Sequence, residues 1–326
     1  MLADYRFGAC LPTFGSCADR YCLSGYGGGG KTLVEMLDLA AKVEGLDGLE
    51  LVGNWHVNEG NLREVGGMFR DRNLTICMLV PDLWTQAKWG RGSIAAPDAP
   101  TRRAAIDEIK KVMDWAAEVG CPYIDVWPGQ DGFDYCFQAD YIEAMKWMKE
   151  ALVECAAHNS KVRMLVEYKP REPRTHCFVS SAAKVLLLVQ DLPSVGVLLD
   201  WGHALQGGEN VAEAAALLAS YGKLDYLHLN DNYRSWDDDM MVGSVHIVEY
   251  LELAYWLRRV KYAGWLTLDV FPYREQDKVA VAVQCRQWME AFFRAVDRVG
   301  MDALTRVIQN ADAVEATKIV RKALGL

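Results

Sequence analysis

The feature that most constrains the fold is the regular alternation of short apolar runs with longer helical patterns along the chain. Short runs rich in Val, Leu and Ile, closed by Gly, Pro, Asn or Asp, are typical of buried β-strands, and longer stretches with a 3.6-residue period are typical of helices. The strands are predicted at residues 6–11, 48–52, 74–80, 123–127, 163–167, 195–200, 224–230 and 265–270. Eight strand-helix units in succession predict an α/β protein, a (β/α)8 TIM barrel.

The same alternation sets the predicted domain organisation. No linker or low-complexity segment interrupts the series, so residues 1–300 are predicted to form one catalytic barrel domain. Residues 301–326 remain as a C-terminal helical extension. A doubly wound open sheet is the alternative, because it uses the same alternation of strands and helices.

Composition and charge exclude several classes of function. Hydrophobic residues make up 51% of the chain and the formal net charge is −9, without a dense basic run. These features argue against a nucleic-acid or anionic-membrane partner. The nine cysteines show no Cys-x-x-Cys spacing, the N-terminus has no signal-peptide pattern, and no apolar run approaches about 18 residues. We therefore expect a soluble cytoplasmic protein with reduced thiols.

Two loops stand out between the predicted elements. Four adjacent glycines precede Lys31, but the strand and the glycine spacing of a phosphate-binding loop are missing, so residues 25–30 are interpreted as a flexible loop at the barrel mouth. Residues 81–100 form a long segment that contains Trp84 and Trp89. Long loops inside compact domains are usually functional.

Charged and polar side chains follow four consecutive predicted strands. In a barrel the C-terminal strand ends meet around one pocket, so residues that are distant in sequence can form one site. In chain order these residues are Glu167 and Lys169, Asp200 and His203, His228 and Asn230 with the loop aspartates Asp237 to Asp239, and finally Asp269.

This collection of residue types points to a divalent cation. Each residue has an ordinary explanation by itself: Asp200 as a helix cap, His228 as a core histidine, Glu167 with Lys169 as a surface ion pair. Gathered carboxylates and imidazoles, however, need a cation to neutralise them. Oxygen-rich ligation with one or two nitrogens favours Mn²⁺, Mg²⁺ or Co²⁺, with one or two ions per chain.

Several motifs resemble those of known sugar isomerases. The stretch Glu-Tyr-Lys-Pro-Arg-Glu-Pro-Arg from Glu167 resembles the Glu-Pro-Lys-Pro-Asn-Glu-Pro-Arg stretch of xylose isomerases. Asp200-Trp-Gly-His, His228-Leu-Asn-Asp and the three loop aspartates followed by Val242-Gly-Ser resemble bacterial L-rhamnose isomerases still more. Trp89-Gly-Arg-Gly-Ser is similar to the same family. The likeness extends from about Trp84 to Asp269.

The resemblance implies a role for each matching residue. It implies one cation held by Glu167, Asp200, His228 and Asp269, and a second held by His203, Asp237 and Asp239 with Asp200 as a bridge. Lys169, Glu167 and Asp269 would be catalytic. Trp127 would wall the sugar pocket, and Trp84, His56 and His203 would contact the substrate. Xylose isomerases have a histidine in the loop after the third strand, and Trp84 lies near that place, so ring opening would fall to another group such as His56.

The predicted activity is a metal-dependent interconversion of an aldose and a ketose by hydrogen transfer between adjacent carbons. A ketose 3-epimerase or a keto-glycoside lyase of the same barrel group is the alternative. A DNA-repair protein like endonuclease IV would share the barrel, but the negative charge disfavours it. The expected partners are a small-molecule sugar and other copies of the chain in a homo-oligomer.

Overall fold

The chain folds around a closed parallel β-barrel in the computed structural model, which describes residues 5–18, 21–26 and 29–326. The strands, in chain order, are β1 (Arg6–Cys10), β2 (Gly48–Val52), β3 (Thr75–Val80), β4 (Tyr123–Val126), β5 (Gly132–Phe133), β6 (Arg163–Glu167), β7 (Arg171–Glu172), β8 (Thr175–Cys177), β9 (Val195–Asp200), β10 (Leu224–Leu229) and β11 (Trp265–Leu268). The short strands β5, β8 and β7 form a separate sheet. The other eight follow the order β1-β11-β10-β9-β6-β4-β3-β2, and β1 pairs with both β11 and β2. This closure confirms the TIM barrel and excludes the open sheet.

Helices follow the barrel strands as the alternation predicts. They are α1 (Leu33–Ala40), α2 (Leu62–Asp71), α3 (Ala99–Val119), α4 (Tyr141–Ala156), α5 (Ala182–Val189), α6 (Trp201–Gln206), α7 (Val211–Ser220), α8 (Ile247–Arg259), α9 (Lys278–Val299), α10 (Met301–Asn310) and α11 (Ala313–Leu324). Local sequence explains where several begin and end. Thr32 and Glu35 form a capping box at α1, and Asp98 caps α3, which ends at the left-handed Gly120 with φ 74°.

Side chains alternate between the inside of the barrel and the surrounding helices. Tyr226 and Trp265 belong to a small cluster inside the barrel, whereas Leu227 and Leu266 belong to the larger core shared with the helices. Because strand side chains alternate with a period of two, His228 points inward, as Tyr226 does, one step nearer the C-terminal end. The packed side chains therefore close the bottom of the barrel interior. Inward-facing residues nearer the C-terminal ends of the strands, such as His228, face the mouth of the barrel.

The last two helices pack on the outside of the barrel. Tyr255 of α8 contacts Thr305 of α10 through hydroxyl groups 2.9 Å apart, and Ala323 of α11 is buried. The predicted division of the chain falls at Gly300, between α9 and α10. Among the described residues, no helix combines the length and the apolar character needed to cross a membrane.

Two predictions fall partly outside the described residues. They are the glycine loop at residues 25–30, of which 27 and 28 are not described, and the absence of an export signal, which involves residues 1–4.

Candidate metal centre and sugar pocket

A cavity of about 290 Å³ opens at the C-terminal ends of the barrel strands. Nine of the residues predicted from the sequence line it: Trp84, Trp127, Glu167, Lys169, His203, His228, Asp237, Asp239 and Asp269. Asp200 is completely buried and lies behind this lining. The fold thus brings together residues of β6, β9 and β10 with residues of α6 and of the loops that follow the barrel strands, as the convergence of strand ends predicts.

The first predicted ligand group is compact. Glu167, Asp200, His228 and Asp269 each offer a ligand atom, and these atoms all lie within 4.8 Å of one another. Strand register explains part of this proximity, because His228 of β10 lies directly beside Asp200 of β9. Nδ1 of His228 is 3.3 Å from Oε1 of Glu167, 3.7 Å from Oδ2 of Asp200 and 3.9 Å from Oδ2 of Asp269.

The second predicted group shares Asp200 with the first. Ligand atoms of Asp200, His203 and Asp237 lie within 4.8 Å of one another, with Nε2 of His203 at 3.1 Å from Oδ2 of Asp237. Asp200 also caps α6, because its Oδ1 accepts a hydrogen bond of 2.8 Å from the main-chain N–H of His203. The cap fixes the distance between these two residues. Asp239 lines the same cavity but lies outside this compact group.

Lys169 forms ion pairs within the site, although not with Glu167. Its Nζ lies 2.7 Å from Oδ2 of Asp237 and also contacts Glu172. Burial would lower the pKa of Lys169, but Asp237 and Glu172 outweigh it and raise that pKa well above its ordinary value. The ammonium group is therefore a fixed positive charge at the wall of the cavity.

Crowded carboxylates dominate the electrostatics of the site. Burial and the neighbouring Asp200 and Glu167 raise the pKa of Asp269 to about 7, although His228 opposes the shift. Burial and the charges of Asp237 and Asp269 raise the pKa of Asp239 well above its ordinary value. These shifts mean that the site has more carboxylates than nearby positive charge can neutralise.

The two imidazoles compensate part of this negative charge. Burial alone would lower the pKa of His203, but Asp200 and Asp237 outweigh it and raise that pKa to about 9. The pKa of His228 is raised as well, because Glu50 and Glu167 outweigh the effect of burial. Both rings are thus held in a strongly anionic environment that favours positive charge.

The donor set fits divalent cations. Among the described side chains, Oδ1 of Asp237 and Oδ1 of Asp125 are buried oxygens without a hydrogen-bond partner. Unpaired buried oxygens are costly unless a donor or a cation reaches them. Carboxylate oxygens with one imidazole in each group match the preference of Mn²⁺, Mg²⁺ and Co²⁺.

Aromatic side chains form another part of the cavity wall. The rings of Trp84 and Trp127 meet edge to face, with centroids 5.1 Å apart and an interplanar angle of 86°. Trp55 extends this wall toward solvent, with its ring 5.7 Å from that of Trp84. Nζ of Lys169 lies 5.3 Å from the ring centroid of Trp127. The cavity therefore presents an apolar wall beside the ammonium group of Lys169.

His56 lies beside the cavity rather than in its lining. It faces an adjoining cavity of about 470 Å³, which shares Pro12, Trp55, Asp239 and Phe271 with the first. Its Nδ1 accepts a hydrogen bond of 3.0 Å from the main-chain N–H of Val52, so we assign the proton to Nε2. Burial lowers the pKa of His56 to about 4, which leaves a neutral imidazole at the barrel mouth.

The sequence reasoning missed several residues that line the cavity, among them Cys10, Glu50 and Asp125. Cys10, Glu50 and Asp125 lie on β1, β2 and β4, and no polar residue of these strands was predicted to belong to the site. Glu50 and Asp125 each interrupt an otherwise apolar strand, in Gly-Leu-Glu-Leu-Val and Tyr-Ile-Asp-Val. A carboxylate inside a buried parallel strand is unusual enough to have served as a signal.

Sequence comparisons agree with this geometry. The model of the xylose isomerase-like TIM barrel family matches residues 37–292. A xylose isomerase from Thermus thermophilus is 26% identical over 236 residues, which cover 70% of this chain and 61% of the relative. A xylose isomerase from Thermus caldophilus is 25% identical over 236 residues, with the same coverage of 70% and 61%. The chain thus spans about 61% of the length of these curated relatives.

Solved structures of several sugar epimerases share the fold. A D-tagatose 3-epimerase-like protein superposes with a TM-score of 0.70 at 16% identity, covering 89% of this chain and 99% of its own. An L-ribulose 3-epimerase gives 0.68 at 15% identity, with coverage of 90% and 96%. A 3-keto-D-glucoside 4-epimerase from E. coli gives 0.67 at 18% identity, with coverage of 88% and 99%. These likenesses concern the fold, whereas the family match covers most of the barrel sequence, and on that ground the chain belongs to the xylose isomerase-like TIM barrel family.

Proposed function

We propose that this protein is a divalent-metal-dependent sugar isomerase that interconverts an aldose and a ketose by hydrogen transfer between adjacent carbons. The observation that supports it most directly is the pair of compact ligand groups that share Asp200 beside a tryptophan-walled cavity. The relatives named xylose isomerase are consistent with this reaction.

The cations would be Mn²⁺, Mg²⁺ or Co²⁺. Glu167, Asp200, His228 and Asp269 would hold one of them, and His203, Asp237 and Asp239 would hold a second with Asp200 as the bridge. Cations bound there would supply Lewis-acid polarisation of the sugar carbonyl. The raised pKa values of Asp239 and Asp269 support this assignment, because crowded carboxylates of this kind are relieved by positive charge.

Lys169 and the tryptophans would bind and orient the sugar. The ammonium group of Lys169 lies at the ring of Trp127, where it can donate to a substrate oxygen and stabilise negative charge that develops on it. Trp84 and Trp127 offer apolar faces to the C–H bonds of the sugar and exclude water from the reacting carbons. His56 would contact the sugar from the mouth of the barrel. His203 would contact it from the side of the proposed cation ligands.

Carboxylates provide the base if the hydrogen moves as a proton. Glu167 and Asp269 are the two candidates, and Asp269 is the better placed because 19% of its side chain is exposed, against 6% for Glu167. A base must reach the carbon-bound proton directly. We assign proton transfer to Asp269 in an enediol route, while a hydride shift would require only that the two carbons are held in place.

A substrate panel tests the proposal. The protein is stripped of metal with EDTA, reloaded with Mn²⁺ or Co²⁺, and incubated with unphosphorylated aldoses and ketoses, and the products are identified by NMR. We expect the carbonyl to move between C1 and C2 of at least one sugar, only with metal present. The absence of such a product across the panel would overturn the isomerase proposal.

A ketose 3-epimerase or a keto-glycoside lyase is the second candidate. The group of Glu167, Asp200, His228 and Asp269 is complete without the second group, and an epimerase would need only the first. The structural relatives named as epimerases fit this alternative. Locating the deuterium after reaction in D₂O separates the two, because an epimerase that works through an enediol labels C3 of the ketose, whereas an isomerase labels C1 or C2, or no carbon if the hydrogen moves as a hydride.

A further inference from the structure

Glu50 is a buried carboxylate that belongs to neither of the proposed cation groups, yet it contacts one of their residues. It is 2% exposed, and both of its oxygens lie 3.1 Å from Nε2 of His228. Strands β2 and β10 are separated in the barrel by β1 and β11, so this contact crosses the interior. Strand pairing therefore does not impose it.

The contact determines which nitrogen of His228 faces the proposed cation. Nδ1 faces Glu167 at 3.3 Å and Asp200 at 3.7 Å, on the opposite side of the ring from Glu50. An imidazole that binds a cation through Nδ1 must carry its remaining proton on Nε2. A buried N–H needs an acceptor, and Glu50 supplies it.

His203 shows the same arrangement with the nitrogens reversed. Its Nδ1 lies 3.0 Å from the main-chain carbonyl oxygen of Tyr168 and 3.2 Å from Oε1 of Glu167, and its Nε2 faces Asp237. The orientation of His203 is thus supported by the backbone, which no side-chain substitution removes. The orientation of His228 depends instead on the side chain of Glu50.

We propose that Glu50 is the positioning residue for His228. Its carboxylate accepts the Nε2–H hydrogen bond, fixes the tautomer that leaves Nδ1 free for the cation, and raises the basicity of the ring. This role rests on the proposed function, since it requires a cation at the group of Glu167, Asp200, His228 and Asp269.

A competing arrangement uses the same residues differently. Sγ of Cys10 lies 3.5 Å from Oε2 of Glu50, and ligand atoms of Cys10, Glu50 and His228 lie within 4.8 Å of one another. A cation held there would need an unprotonated Nε2 and would use Cys10 as a ligand. The two arrangements differ in their dependence on the Cys10 thiol.

The test measures metal affinity rather than turnover. The full chain is stripped with EDTA and titrated calorimetrically with Mn²⁺, for the wild type and for Glu50→Gln, Glu50→Ala, Cys10→Ala and His228→Gln. Loss of an outer hydrogen-bond partner typically weakens metal binding about 10- to 100-fold. We expect a loss of this size for one Mn²⁺ in Glu50→Ala and a smaller loss in Glu50→Gln, whose amide oxygen can still accept the hydrogen bond without the negative charge, while Cys10→Ala binds as the wild type does.

A double variant and a matched control complete the design. If Glu50 acts through His228, then Glu50→Gln should have little further effect in the His228→Gln background. Glu108→Gln is the control, since Glu108 is a buried carboxylate of α3 that accepts a 2.8 Å hydrogen bond from Asn54 away from the ligand groups. It should leave Mn²⁺ affinity unchanged.

The outcomes separate this inference from the proposed function. Wild-type affinity in Glu50→Ala would overturn the role of Glu50 and leave the metal-dependent function standing. Equal losses of Mn²⁺ affinity in Cys10→Ala and Glu50→Gln would indicate that the cation binds at Cys10. This result would also overturn the role of Glu50. A wild-type protein that binds none of Mn²⁺, Mg²⁺ and Co²⁺ would overturn both.

Discussion

Replacing Lys169 by methionine removes the positive charge that compensates Asp237. Both side chains are buried, with 7% and 8% of their surface exposed, and their charged atoms lie 2.7 Å apart. Breaking a buried ion pair from one side typically costs about 3 to 5 kcal/mol. That range is an upper bound here, because Nε2 of His203 still lies 3.1 Å from Oδ2 of Asp237. The substitution keeps most of the side-chain volume, so the loss is mainly electrostatic.

The expected effect is a lower melting temperature in EDTA. At about 2.1 cal/mol/K per residue, a chain of this length has an unfolding entropy of about 0.7 kcal/mol/K, so 3 to 5 kcal/mol corresponds to about 4 to 7 °C. Added Mn²⁺ should restore more stability to Lys169→Met than to the wild type, because a cation can neutralise Asp237 in place of the ammonium group. Turnover should fall while metal content stays near that of the wild type.

A matched control separates the effect of losing a buried charge from the effect of losing an exposed one. Lys110 pairs with Glu154 at 2.6 Å on the outer helices, where 23% and 40% of the side chains are exposed. Exposed pairs contribute about 0 to 1 kcal/mol, so Lys110→Met should shift the melting temperature by less than about 2 °C. If Lys169→Met melted as the control does, the assignment of a buried, stabilising charge would be wrong. Full activity of Lys169→Met would refute its role at the substrate.

Three further predictions concern metal, substrate and pH. Asp200→Ala should lower the metal content of the purified protein at both groups, since both share Asp200, and metal analysis after dialysis checks this. Retention of two equivalents would contradict the bridging role. Trp127→Ala should raise KM for the sugar about 5- to 150-fold with a smaller change in metal affinity, because about 1 to 3 kcal/mol of apolar contact is lost. Unchanged KM would place the sugar elsewhere. His203 has a folded pKa of about 9 against an ordinary value of 6.5, so its contribution to the stability of the metal-free protein is present below pH 6.5 and lost as the pH rises through 9. Mn²⁺ affinity should increase over the same window, because a ligand imidazole must be deprotonated. Melting curves in EDTA and titrations at several pH values test this, and His203→Asn should flatten both profiles.

The barrel could be predicted from the sequence because its signals are local. Each strand is a short apolar run, each helix has its own period and caps, and the predicted boundaries agree with the structure within a few residues for most elements. The short sheet of β5, β7 and β8 was not predicted, because strands of two or three residues carry almost no pattern.

The candidate site was predictable only where its residues follow strand ends. Glu167, Asp200, His228 and Asp269 could be placed together by the topology of the barrel alone, since parallel strands deliver their C-terminal ends to one rim. The sequence by itself thus determined the fold and which polar residues the fold brings to the C-terminal ends of the strands.

The tertiary structure decided the partners of these residues. Lys169 pairs with Asp237 across 68 residues, and His228 contacts Glu50 across 178 residues. Such contacts depend on distances across the barrel interior, which no local pattern encodes. For this reason Glu50 and Asp125 were recognised only in the folded chain, where the closed barrel places both side chains in the lining of the same cavity.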